Sequence, residues 1–324
     1  MTVPVAEANL ISSCTAAPLG SAGVMDAGCF TAPVAPGILE RILSIDCQGQ
    51  TLWGVLSLPG QDMARSGCGV VIVVGGPQYR VGSHRQFVQL ARALSGAGHV
   101  ALRFDCRGMG DSLGATPDFR DIDADILAAV LALKQACPWI QRTVLWGLCD
   151  GASAALLLLQ RQPASPIHGL CLVNPWVRSA QTLAATQIKH YYGQRLLQRD
   201  FWRKLLRGGV SLRSLGELVR SAQHMFVRQA HSAVEQSFQH GMAKAWRDWS
   251  GPMLLVLSGN DYTAREFLEA IAADPVWSGA LARPNLQRID LPEADHTLSR
   301  AEHRTLVEAA TLDWLGQSTV GAFE

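Results

Sequence analysis

The sequence has no apolar run long enough to cross a bilayer. Its longest, around Val70–Val74 and Ala154–Leu159, fall far short of the roughly 20 residues that a spanning helix needs. It has no CxxC pair, so zinc has little support. It has no excess of charge of either sign: 28 Lys+Arg stand against 27 Asp+Glu, only 17% of residues are charged, and the formal net charge is +1. Nothing in that balance draws the chain to nucleic acid. No Lys or Arg precedes Arg41, so the cationic region of a secretory signal is missing. The expectation is a soluble protein of a reducing cytoplasm, with its eight scattered cysteines free, because a chain this long does not need disulfide staples.

What is present can build a large core: 324 residues, 48% of them hydrophobic. Residues 1–36 are the exception. They are rich in Ala, Pro, Gly, Ser and Val, carry Glu7 and Asp26 as their only charges, and show no period, so they read as a poorly ordered extension. Two strands, Leu39–Ile45 and Thr51–Leu58, flank the hairpin punctuation Cys47-Gln48-Gly49-Gln50. Buried strands then alternate with amphipathic helices: strand Gly69–Val74, helix Ser83–Ala97, strand His99–Phe104, helix Asp121–Ala136, strand Thr143–Trp146, helix Asp150–Gln160, strand Gly169–Val173. The alternation stops over 178–250, where the chain reads as helical and basic. It resumes with strand Met253–Leu257, helix Phe267–Ala272, strand Leu286–Leu291 and a last helix, Glu302–Leu315. Such spacing implies a mostly parallel sheet covered by helices on both faces. The sheet domain occupies 37–177 and 251–318, the insertion caps it over 178–250, and 319–324 form a tail.

The most specific local pattern is Gly147-Leu148-Cys149-Asp150-Gly151, a G-x-C-x-G between a strand and an Ala/Leu-rich helix. Gly147 and Gly151 suit a sharp elbow where side chains would strike neighbouring backbone, and the turn lifts the central residue above the sheet. The positive end of the following helix favours a thiolate there. Chain order in this architecture places an acid after a late strand and a histidine after the last. Asp261 and His296 fill those places, so Asp261 would orient His296 and His296 would deprotonate Cys149. Asp295 is the nearest substitute for Asp261. Asp261 and His296 each have a plainer use as helix caps.

The loop Gly75-Gly76-Pro77-Gln78-Tyr79 follows the first parallel strand, where an oxyanion loop belongs, and Gly76 permits close approach of a substrate. Pro77 has no N–H to give. The donors are therefore expected to be the Asp150 N–H with that of Gln78 or Tyr79. Asp105 and Arg107, in the glycine-punctuated turn after His99–Phe104, read as loop pins. The chemistry calls for no metal and no organic cofactor.

These motifs together resemble the α/β-hydrolase superfamily over residues 38–317. The stretches Val73–Phe87, Leu102–Ser112, Leu145–Leu157 and Asn174–Ser179 more narrowly resemble the type 1 hydrolases associated with the exosortase A system. That resemblance implies an α/β-hydrolase fold in a cytoplasmic protein encoded beside exopolysaccharide and exosortase genes. Most members of the superfamily use serine, and Cys149 departs from them while resembling the dienelactone hydrolase elbow. The resemblance leaves the substrate undefined, and the residues themselves point to esterase or thioesterase chemistry through an acyl-cysteine. A silent hydrolase-fold component of exopolysaccharide assembly and an acyltransferase are the alternatives.

The insertion is the one strongly charged region, with twelve Lys or Arg against four Asp or Glu. It would focus an anionic acyl substrate toward the cleft, with Trp176, Tyr191 and Trp202 lining the site and Trp246 and Trp249 beside them. The plainer account is a solvated cap. Phe201–Arg207 mixes bulky apolar and cationic groups and allows contact with a membrane surface.

Overall fold

The computed structural model of the chain describes residues 31–76, 78–178 and 238–320. Nine strands form one sheet: β1 (Thr31–Ala35), β2 (Ile38–Cys47), β3 (Gln50–Pro59), β4 (Cys68–Val73), β5 (Val100–Phe104), β6 (Arg142–Leu148), β7 (Gly169–Val173), β8 (Met253–Ser258) and β9 (Leu286–Leu291). Their order is β1-β2-β3-β5-β4-β6-β7-β8-β9. Pairing is antiparallel from β1 through the β3–β5 contact and parallel from there to β9. The continuous apolar runs are the parallel strands. β4, β5, β7 and β8 are buried at every position, as strands covered on both faces must be.

Helices supply the covers. On one face α1 (Gln86–Gly96) buries Phe87, Leu90, Ala91 and Leu94, a single helical stripe, beside α6 (Ala301–Val320). On the other, α2 (Asp123–Ala136) and α3 (Asp150–Arg161) pack Ile126, Val130, Leu133, Leu156 and Leu158 over the sheet. The expected fold class, an α/β-hydrolase fold with a mostly parallel sheet, is the one observed.

Three boundaries differ from expectation. The segment read as a poorly ordered extension includes β1, which pairs with β2 from Thr31↔Arg41 to Ala35↔Ile38. Pro33 is tolerated because this is an edge strand. Residues 1–30 lie outside the described residues. Within the expected cap, α4 (Phe238–Asp248) buries Met242, Ala245 and Trp246 in the main core. The Trp246 ring meets Phe267 of α5 (Tyr262–Ala273) and Trp277, and its N–H donates to Ala280 O at 2.9 Å, so Trp246 is a core residue rather than a site residue. The helix expected from Ser83 starts at Gln86, because His84 and Arg85 hold positive φ (53° and 61°) in the preceding turn.

Candidate active site

The carboxyl ends of β4, β6, β8 and β9 gather the reactive side chains. Cys149 stands at the turn from β6 into α3 with φ 60° and ψ −126°, a conformation that costs a non-glycine residue energy and is kept only where the surroundings enforce it. The enforcement is visible. The Cys149 N–H donates to Val173 O at 2.9 Å, and its carbonyl accepts from Trp176 N–H at 3.2 Å. A Cβ on Gly147 would stand 2.6 Å from Ala152 N, and one on Gly151 would stand 2.5 Å from Val73 O. Both flanking glycines are therefore required by packing.

His296, in the loop after β9, faces this turn. Its Nδ1 lies 2.7 Å from Asp261 Oδ2, and Cys149 is near enough to bear on its titration. Asp261 makes two contacts: Oδ2 meets the imidazole while Oδ1 caps α5, accepting from Thr263 N–H at 2.9 Å. Asp295 is not the substitute it could have been. Its carboxylate accepts from Thr297 and Ser299, and although burial opposes the charge, Ser299 and Thr297 hold its pKa down near 2. It braces the loop that carries His296. The bond to Asp261, then the neighbouring Cys149, push His296 up to about 10 against an opposing desolvation, so the imidazolium is the favoured form at neutral pH.

Gly76 has φ 64°, in the left-handed region that suits glycine. Its N–H donates to Asp150 Oδ1 at 2.5 Å. Burial raises the Asp150 carboxyl, opposed by hydrogen bonds from the N–H groups of Gly76, Gly151 and Asp150 itself. Gln78 turns its side-chain oxygen to Ser83, accepting from N–H at 3.1 Å and Oγ at 3.3 Å, while Tyr79 is half-exposed. Gly76, Gln78, Tyr79 and Asp150 share the wall of a 660 Å³ cavity with residues of the loop after β5. That loop is pinned as expected: Arg107 pairs with Asp125 (2.9 Å), and Arg80 with Asp105 and Asp111.

The profile of the Alpha/beta hydrolase family matches residues 70–310, about three-quarters of the chain, and that range contains every group just described. The chain belongs to the alpha/beta hydrolase family. Solved structures agree on the fold of this hydrolase. An esterase of Pyrococcus furiosus superposes with a TM-score of 0.57 at 16% identity, covering 86% of this chain and 90% of that one. Est1E of Butyrivibrio proteoclasticus, with ferulic acid bound, gives 0.55 at 16%, covering 85% and 98%. An a/b serine hydrolase without lid from Xanthomonas campestris gives 0.52 at 15%, covering 88% and 97%. Among curated proteins the hydrolase has no match.

Of the other expected site residues, Trp176 is half-buried beside the turn, its carbonyl held by Ser153 Oγ at 2.6 Å and its ring covered by the Arg178 guanidinium. It is not on the cavity wall. Trp249 is partly buried against the main core. Tyr191, Trp202 and Phe201–Arg207 lie outside the described residues. Sequence reasoning missed Met109, Phe119 and Ile122, which line the cavity, and the inward turn of the Asp150 carboxyl. The loop residues have no period to betray them. Asp150 was visible as the residue after Cys149, but only its N–H was given a use. Among the described residues no helix is long and apolar enough to cross a membrane.

Proposed function

We propose that this hydrolase cleaves or transfers acyl groups through a covalent acyl-Cys149 intermediate, with thioesters as favoured donors. The observation that carries the proposal is His296, bonded to Asp261 at 2.7 Å and facing the Cys149 turn. The Cys149 thiolate attacks the acyl carbon and the carbonyl electron pair moves onto oxygen, where N–H groups of Asp150 and of Gln78 or Tyr79 receive it. Collapse expels the leaving thiolate, or the alkoxide of an ester, which takes the proton of the His296 imidazolium. Water, or an acceptor hydroxyl in a transfer, then gives its proton to His296 and attacks the same carbon. Cys149 leaves as thiolate. Asp261 keeps the ring oriented and stabilises its charge.

The esterase among the structural neighbours and the ferulic acid in Est1E support an ester-like substrate class. The four stretches that resemble exosortase-associated hydrolases support a role in the cytoplasm alongside exopolysaccharide assembly. The test is turnover of a panel of N-acetylcysteamine thioesters and p-nitrophenyl esters. Cys149→Ala is expected to abolish turnover, and His296→Ala to lower it by about 10²–10⁴-fold. Wild type and Cys149→Ala equally inert across the panel would overturn the proposal and leave a silent component of exopolysaccharide assembly.

A further inference from the structure

Backbone N–H groups beside Cys149 converge on one carboxylate. Gly76 N–H, from the loop after β4, donates to Asp150 Oδ1 at 2.5 Å, and the N–H groups of Gly151 and of Asp150 itself hold the same carboxyl. The glycines of the loop permit this approach: a Cβ on Gly75 would stand 2.3 Å from Asp150 Oδ1 and 2.1 Å from Leu148 O. Two separate elements, the loop after β4 and the first turn of α3, thus aim donors at a negative oxygen one residue from the sulfur. An acyl-transfer oxyanion needs the same arrangement. One of these donors, the Asp150 N–H, is the group that the acyl-Cys149 reading gives to that oxyanion.

Each residue has one N–H to give, so a donor that holds the Asp150 carboxylate is not free to hold a second anion. We propose that Gly76 N–H is a catalytic oxyanion donor and that the Asp150 carboxylate occupies the oxyanion hole in the free protein, so that the substrate oxygen has to displace it. The proposal rests on the acyl-Cys149 reading and describes the regulation of that site. His296 bears on the Asp150 carboxylate, and the two together carry the charges, negative oxygen and imidazolium, that develop when a thiolate attacks a carbonyl. Asp150 also lines the open 660 Å³ cavity, so a change of its side-chain rotamer can clear the hole without moving the backbone. An acyl donor reaches the N–H groups only in the fraction of molecules whose Asp150 has swung out, and kcat/KM is lowered by that fraction. The opposing use of Asp150 is a brace that ties the loop after β4 to α3 and leaves the oxyanion to other donors.

The two uses predict opposite results in Asp150→Ala on the full chain, which removes the carboxylate and keeps the N–H. Its kcat/KM for an N-acetylcysteamine thioester is expected to rise at least about tenfold over wild type. Formate is expected to enter the vacated hole, inhibiting the variant competitively and leaving wild type unaffected. A rate that falls in Asp150→Ala and is restored by formate would show a brace and overturn the proposal. A second readout needs no turnover: in the chain carrying both Asp150→Ala and Cys149→Ala, formate is expected to shift the Gly76 amide resonance in nitrogen-15 spectra. A Gly76 amide indifferent to formate would overturn the proposal and leave the acyl-cysteine reading intact. A shifted Gly76 amide in a protein inert to every thioester would remove the acyl-cysteine reading and keep the carboxylate-filled hole. Asp150→Asn guards against poor folding of the alanine variant, since its side-chain oxygen still accepts from Gly76 N–H. As a neutral occupant it is easier to displace, so its kcat/KM is also expected to exceed that of wild type, and a rate at or below wild type would overturn the proposal.

Discussion

His296 ties the electrostatics of the site to pH. Asp261 is the largest cause of its shift to about 10, so the imidazolium that protonates the leaving group persists well above neutrality. Turnover of esters with basic leaving groups is expected to hold through pH 8–9 and to fall as pH passes about 10. In Asp261→Asn that limb is expected to move down toward the ordinary value of about 6.5, with kcat lower by at least about a hundredfold. A pH–rate profile checks both. Stability follows the same group. The folded value lies above the ordinary one, so the stabilisation is full below about pH 6.5 and is lost as pH rises through about 10. Melting temperatures of wild type and His296→Gln are accordingly expected to converge between those limits as pH increases.

Among the elements, α3 and α4 show how far a site depends on packing away from it. α3 begins at the strained Cys149 and is held by close approach of Gly147 and Gly151 to neighbouring backbone. α4 lies against α3, and its Trp246, 1% exposed, fills the space between α4, Phe267 and Trp277. Trp246→Ala is expected to cost about 3–5 kcal/mol in urea unfolding. A loss under about 1 kcal/mol would show that α4 is not part of the core. The basic insertion hid this role, because the polar face of α4, with Lys244, Arg247 and Asp248 exposed, reads as a solvated run while Met242 and Trp246 lie on the other side.

Across the whole molecule, the parallel half of the sheet was legible in the sequence because most of its strands are continuous apolar runs, and β7 falls where its run predicted, while β9, Leu-Gln-Arg-Ile-Asp-Leu and mostly unburied, falls where the strand-helix alternation placed it. The positions of Asp261 and His296 were legible through topology: side chains following β8 and β9 must emerge at the same sheet end as the β6 turn. β1 was not legible, since Thr-Ala-Pro-Val-Ala has no apolar alternation and gains its order from pairing with β2. The cavity was not legible either, because the loops after β4 and β5 and the start of α3, separate in sequence, build it together. β1 covers the edge of β2, and an uncovered edge invites intermolecular pairing. A chain lacking residues 1–36 is expected to melt lower and aggregate sooner than one lacking 1–30, by calorimetry and light scattering. Identical behaviour would show that the Thr31–Ala35 pairing contributes nothing.

The account turns on sulfur as the acyl carrier, and intact-protein mass spectrometry after brief exposure to a reactive thioester reads that directly. One added acyl mass is predicted, mapped to the peptide containing Cys149, absent from Cys149→Ala and long-lived in His296→Ala. An acyl group on another residue, or an unmodified chain that still turns the thioester over, would contradict it.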